Sequence, residues 1–244
     1  MLLIPSIDLR NGRCVRLLRG DFDAETVYER TPESVFSDYR ALGVKWLHLV
    51  DLDGARDGRL ANRDAILSFA RSGAEVQVGG GVRSRAVAQD LLDQGVARVA
   101  VGSAAVESPI EVAEWLRHYG PQRICLALDV RLDAAGLPRL YTRGWREASA
   151  LDLWSAIEQY QPHGLRHVLC TDIDRDGALE GPNLSLYAEC VSRFPQISWQ
   201  ASGGVSSAAD LEHLAAIGVA ATISGKALLD GHIDANDMQR WLSV

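Results

Sequence analysis

Two carboxylates stand at matching places in the two halves of the chain, and their type and spacing suit proton transfer. Asp8 ends the apolar run Ile4-Pro5-Ser6-Ile7, and Asp129 ends Ile124-Cys125-Leu126-Ala127-Leu128. They lie 121 residues apart in a chain of 244, each with an arginine two residues on, Arg10 and Arg131. A buried strand that delivers an acid at its C-terminal end is how a parallel α/β fold presents a catalytic group. On opposite strands of an eight-stranded barrel, the two would face each other across the mouth. One could donate a proton and the other accept one, in environments that push their pKa values apart. A lone strand-end Asp serves equally well as a loop cap or as the partner of Arg10 or Arg131. The repetition turns the balance toward chemistry.

The glycine turns repeat as well. Gly79-Gly80-Gly81-Val82 recurs as Ser202-Gly203-Gly204-Val205, and Gly102-Ser103-Ala104 as Gly225-Lys226-Ala227, both at a spacing of 123 residues. Each turn opens a helix, where backbone N–H groups at a positive dipole end can cradle a phosphate. Glycine is also the default turn residue, so one such pair would mean little. Two pairs in symmetric positions point to a ligand with a phosphate at each end, as barrels commonly bind phosphate at the loops after strands seven and eight. Ser224-Gly225-Lys226 lacks the earlier Gly and following Ser or Thr of a Walker loop, and Gly79-Gly80-Gly81 lacks the dinucleotide spacing.

Other groups are weaker. Asp172-x-Asp174-x-Asp176-Gly177 imitates the first half of a calcium loop, but its twelfth position is Asn183 rather than Glu and a strand precedes it, which excludes calcium. Asp176 is then either an auxiliary group near the mouth or a turn residue. His48 reads as a site or a core histidine, and Trp145 as a lid or a packing residue. The six histidines show no metal-ligand spacing with the four cysteines.

Eight near-continuously apolar strands alternate with helices along the chain, so the sheet is parallel and covered on both faces. Eight such units in 244 residues favour one α/β domain over 1–244, a (β/α)8 barrel of two repeated half-barrels at about 1–120 and 121–244. The pattern predicts a long loop from Asn11 to Thr31, a helix capped by Asn62, an irregular insert from Asp129 to Trp145, and a helix from about Ser149 to Tyr160. Apolar content of 47% supports a full core, and a net charge of −7 gives no support for a nucleic-acid partner. No apolar run is long enough to cross a membrane, the N-terminus does not read as a signal peptide, and Cys14, Cys125, Cys170 and Cys190 read as reduced packing residues. Cytoplasmic localisation is the expectation.

Ile4-Pro5-Ser6-Ile7-Asp8-Leu9, Leu49-Val50-Asp51-Leu52-Asp53-Gly54-Ala55, Gly79-Gly80-Gly81-Val82-Arg83 and Thr171-Asp172-Ile173-x-Arg175-Asp176-Gly177 together resemble the aldose–ketose isomerases of histidine biosynthesis. The resemblance runs from Leu2 to about Gly231. It implies a barrel without metal or organic cofactor, expected to be a monomer, acting on a bisphosphorylated small molecule by an Amadori rearrangement. It also implies Asp129 as the acid and Asp8 as the base, with Asp176 beside them. Arg19, Arg83 and Trp145 would contact the substrate, His48, Thr171 and Ser202 would line the site, and Gly20 would lie in a closing loop. The related cyclase resembles a Cys-Leu-Asp-Val first strand, unlike Ser6-Ile7-Asp8-Leu9 here. Isomerisation of phosphoribosylanthranilate as a second activity, or a non-catalytic phosphate-binding barrel, are the alternatives.

Overall fold

A computed structural model of the chain describes residues 1–242, and eight parallel strands there close on themselves. The barrel strands are β1 (Leu2–Arg10), β4 (Trp46–Asp51), β5 (Glu75–Gly79), β6 (Arg98–Val101), β7 (Ile124–Leu132), β10 (His167–Asp172), β11 (Ser198–Ser202) and β12 (Ala221–Ser224). Each pairs with the next, β10 pairs back with β7, and β12 pairs with β1, so among the described residues the barrel itself has no open edge. The remaining strands form two excursions. β2 (Arg13–Leu18) and β3 (Asp21–Val27) extend β1, and β8 (Pro138–Thr142) and β9 (Glu147–Asp152) extend β7, all antiparallel.

The strands are apolar throughout because both faces are covered. Outward residues such as Leu47, Leu49, Val76, Val78, Leu126 and Leu128 pack with Leu67, Leu91, Trp115, Ile157 and Tyr187 of the surrounding helices. Burying each such side chain contributes roughly 1.5–3 kcal/mol. Inward residues Ile4, Cys125, Leu169, Ala221 and Ile223 form a separate, smaller cluster inside the barrel. The helix Arg63–Arg71 shows the local logic: Ile66, Leu67, Phe69 and Ala70 are its buried residues, and Phe69 meets Phe36 edge-on at 5.0 Å.

Four sequence expectations are corrected. The segment from Asn11 to Thr31 is not a loop, and the insert before Trp145 is not irregular; each is a hairpin grown from the free end of a barrel strand. Their second strands face solvent and carry polar residues, as in Asp21–Val27 and Glu147–Asp152, so they lack the continuous apolar run that marks a barrel strand. The following helix starts at Leu153, since Ser149 to Asp152 belong to β9. Asn62 precedes its helix without accepting a capping hydrogen bond there; its Nδ2 donates instead to Asp51 Oδ1 at 2.7 Å. Asn183, 121 residues later, does both, accepting from the Leu186 N–H and donating to Asp172 Oδ2 at 2.7 Å. This second repeated pair, Asp51 with Asn62 and Asp172 with Asn183, ties down the loops after β4 and β10.

Candidate active site

At the C-terminal ends of the barrel strands lies a cavity of about 200 Å³, roofed by the two hairpins. The turn of the second hairpin holds Arg143, Gly144 and Trp145 at positive φ. Trp145 rests against Gly20 in the turn of the first hairpin, so closely that a Cβ on Gly20 would lie 2.2 Å from the indole. Gly20 is therefore required for the two hairpins to meet over the cavity, and its φ of 71° suits glycine.

Asp8 and Asp129 both line this cavity, and β1 and β7 bring them there in matching registers. Asp8 stands opposite Val15 on β2, and Asp129 opposite Tyr141 on β8. Their surroundings differ. Asp8 Oδ2 accepts from Arg16 Nη1 at 2.9 Å, and Arg16 Nη2 reaches Asp176 Oδ1 at 2.7 Å, so one guanidinium joins two carboxylates. Burial disfavours the Arg16 charge, but the two acids outweigh it and hold the arginine firmly protonated. Asp129 has no cationic partner among the described residues. Burial pushes its carboxyl up to about 6, against the opposing pull of polar contacts from Trp145 and Thr171, and the Asp176 charge adds to the rise. Burial also raises Asp176, opposed by Arg16. A group poised near 6 can hold a proton close to neutrality and give it up.

Consecutive register carries the polar lining around the barrel. Asp129, Thr171 and Ser202 are neighbours on β7, β10 and β11, and Ser6 and His48 are neighbours on β1 and β4. Burial, helped by the Arg16 charge, pulls His48 down to about 4, so its ring is neutral at physiological pH.

The glycine turns border the cavity on both sides. Gly79, Gly80, Gly81, Arg83, Gly102 and Ser103 line it from one half, Ser202 and Gly225 from the other. Beside it a pocket of about 20 Å³ is lined by Gly203, Gly204, Gly225 and Lys226 together with Arg16 and Asp176. Packing demands these glycines whatever they bind: a Cβ on Gly80 would lie 2.1 Å from the Asp51 carbonyl oxygen, and one on Gly203 would lie 2.7 Å from that of Asp172. The short helices Ser103–Glu107 and Lys226–Leu229 begin on Gly102 and Gly225.

Of the residues singled out from sequence, Asp8, Gly20, His48, Gly80, Gly81, Arg83, Gly102, Ser103, Asp129, Trp145, Thr171, Asp176, Ser202 and Gly225 share the main cavity. Gly203, Gly204 and Lys226 line the adjoining pocket, where Lys226 Nζ pairs with Asp230 at 2.6 Å. Arg19 is not brought to either: its side chain is 51% exposed, donates to the Asp174 carbonyl at 2.9 Å and pairs with Glu180. Arg16 lines both cavities and was not foreseen. The one signal for it is its place as the single charge in the apolar run Cys14-Val15-Arg16-Leu17-Leu18, legible only once the segment is known to be a strand. Arg10 and Arg131 pair with Glu25 and Asp174, leaving both strand-end acids free of them.

The family described as Histidine biosynthesis protein matches residues 2–234. Among curated relatives, a protein of Psychromonas ingrahamii is 47% identical over 231 residues, 94% of each chain. One of Aeromonas salmonicida is 47% identical over 238 residues, 97% of this chain and 96% of its own. One of Klebsiella pneumoniae is 46% identical over 242 residues, 98% and 99%. All three bear the name 1-(5-phosphoribosyl)-5-((5-phosphoribosylamino)methylideneamino) imidazole-4-carboxamide isomerase.

Proposed function

This chain belongs to the Histidine biosynthesis protein family, and from that premise we propose how it carries out the isomerisation for which its relatives are named. The substrate in that name carries two phosphoribosyl groups. The reaction converts the aminoaldose end of the molecule to an aminoketose. The observation that carries the reading is a single cavity lined by three carboxylates, Asp8 and Asp176 ion-paired to Arg16 and Asp129 pushed up to about 6, with glycine turns bordering it from both halves.

Asp129 is the acid. Its proton goes to the ribose ring oxygen as the bond from that oxygen to C1 breaks, leaving a Schiff base at C1. Asp8 is the base. It takes the proton from C2, the electron pair moves into a C1–C2 double bond, and the iminium nitrogen is neutralised. The resulting enolamine tautomerises to the ketone. Both steps are proton transfers between positioned groups. Asp176 acts through Arg16, orienting the guanidinium that orients Asp8. The glycine turns at 80–81 and 102–103 hold one phosphate, and those at 203–204 and 225–226 hold the other. Trp145 and the hairpin turn at 18–21 close over the sugar and exclude water.

Every group in this scheme comes from one chain, which supports a monomer as the working unit. Four unpaired, buried cysteines and a net charge of −7 support a cytoplasmic enzyme that does not act on nucleic acid. No helix among the described residues is long and apolar enough to cross a membrane. The test is turnover of the aminoaldose by the purified chain with EDTA present, beside phosphoribosylanthranilate as a second substrate. Formation of the aminoketose is expected; no turnover of the bisphosphate would overturn the reading.

A further inference from the structure

Beneath His48 lies a polar network that the chemistry above does not use. His48, Gln77 and Arg98 are neighbours in register on β4, β5 and β6, and Gln200 on β11 reaches them across the barrel interior. Gln77 and Gln200 are fully buried. Their amides pair reciprocally, Gln77 Nε2 donating to Gln200 Oε1 at 2.8 Å and Gln200 Nε2 donating to Gln77 Oε1 at 3.1 Å. By itself this pair would survive if both amides turned over together, so it does not choose an orientation.

Arg98 does. Its Nη1 lies 3.2 Å from Gln77 Oε1, and a guanidinium can only donate, so the amide oxygen must face it. Arg98 is itself fixed. Its Nε donates to the Gln122 carbonyl at 2.9 Å, and its guanidinium carbon sits 4.4 Å from the centre of the Trp46 ring. With Gln77 Oε1 turned to Arg98, Nε2 is turned to His48, 3.1 Å from Nδ1. One amide hydrogen goes to Gln200 and the other to that ring nitrogen, which must therefore accept. The imidazole proton is left on Nε2. That edge of the ring lines the substrate cavity beside Gly79, and no protein group among the described residues accepts from it.

We infer that Gln77 and Arg98 are positioning residues that hold His48 in the Nε2–H tautomer, presenting a hydrogen-bond donor to an oxygen of the opened ribose. The inference rests on the isomerase reading for the identity of that oxygen. A neutral imidazole donor stabilises charge growing on a sugar oxygen without surrendering its proton to the base. The low pKa of His48 agrees with this, since a ring that stays neutral near pH 7 keeps one nitrogen as acceptor and one as donor.

The test is imidazole nitrogen NMR on the whole chain, with the His48 signal assigned by its loss in His48→Asn, combined with steady-state kinetics. Wild type is expected to show the Nε2–H form at pH 7. Gln77→Glu puts an acceptor against Nδ1 and should move the proton there. It should lower kcat about 10- to 100-fold, the range found when the group behind a metal-bound imidazole is changed, with a smaller effect on KM. Arg98→Met frees Gln77 to turn and should give a mixture of tautomers with a smaller fall in kcat; Arg98→Lys keeps a donor and should restore the wild-type spectrum. An Nδ1–H signal in wild type would overturn the inference, and so would full kcat in a Gln77→Glu variant whose proton has moved. If Gln77→Glu does not fold, the wild-type spectrum and the two Arg98 variants still decide. Wild-type turnover in the same samples reports on the isomerase reading separately.

Discussion

The hairpin on β1 and the hairpin on β7 share a register and differ in charge at one position beside the acid. The residue after the partner of Asp8 is Arg16; the residue after the partner of Asp129 is Thr142. Arg16 reaches back to Asp8 and across to Asp176, while Thr142 offers no charge, and Asp129 is left to burial. Two equivalent carboxylates thus become an ion-paired group and one that holds its proton to about 6. The difference teaches that a symmetric scaffold supplies two like carboxylates, and a single charged neighbour on one side gives them unlike surroundings.

The sharpest way to break this comparison is to remove each acid in turn. Asp8→Asn and Asp129→Asn should each lower kcat by about 10²- to 10⁴-fold, with affinity for a bisphosphate product changed only slightly. They should stall at different points in single-turnover measurements: Asp129→Asn before ring opening, Asp8→Asn after it, with Schiff base accumulating. Both variants stalling at the same step would remove the division of labour. Arg16→Met should be the next largest effect, because it leaves Asp8 and Asp176 as unpaired buried carboxylates. A loss of about 3–5 kcal/mol in urea unfolding at pH 7 is expected, shrinking toward acid pH as Asp176, already raised by burial, protonates. Thr142→Val should cost far less, and equal losses would erase the asymmetry.

Asp129 sharpens the comparison through pH. Its folded value of about 6 exceeds its ordinary value of 3.8, so the folded chain binds more protons than the unfolded chain between those limits. Its contribution to stability is present below about pH 4 and is lost as pH rises through 6. Asp129→Asn should therefore be more stable than wild type at pH 7, by at most about 3 kcal/mol, with the advantage gone near pH 4. In turnover the sign is the same: kcat/KM of the wild type should fall as pH rises past about 6. Urea titrations at the two pH values and a pH–rate profile check both. The smallest effect compares the glycines. Gly80→Ala should destabilise more than Gly203→Ala, each by about 1–3 kcal/mol, since the added Cβ meets a carbonyl oxygen at 2.1 Å in one and 2.7 Å in the other. Equal thermal shifts would show that the two turns relax alike.

Much of the site was legible because it sits at strand ends. Asp8, Asp129, Thr171 and Ser202 close apolar runs, and the end of a barrel strand is at the mouth. The hairpins were not legible, since β3 and β9 pair at the rim and face water, and their short alternations, Asp21-Phe22-Asp23-Ala24 and Glu147-Ala148-Ser149-Ala150, lack the continuous apolar run of a barrel strand. Arg16 was hidden with them. Arg19 is a substrate contact by resemblance, yet the turn points it at the Asp174 carbonyl. Gln77, Arg98 and Gln200 belong to no motif and no repeated acid or glycine, so neither signal marks them in the sequence.

The sequence by itself determined the eight-fold alternation, the repeat, and which acids and glycines recur, because burial on both faces and tight turns impose local composition. Only the tertiary structure decided which charge meets which acid. Arg16 and Asp176 are 160 residues apart, Gln77 and Gln200 are 123 apart, and both contacts exist only after the barrel has closed. A polar side chain on a strand reads the same in one dimension whether it faces water, a cavity or another strand, and electrostatic partnership depends on that last distinction.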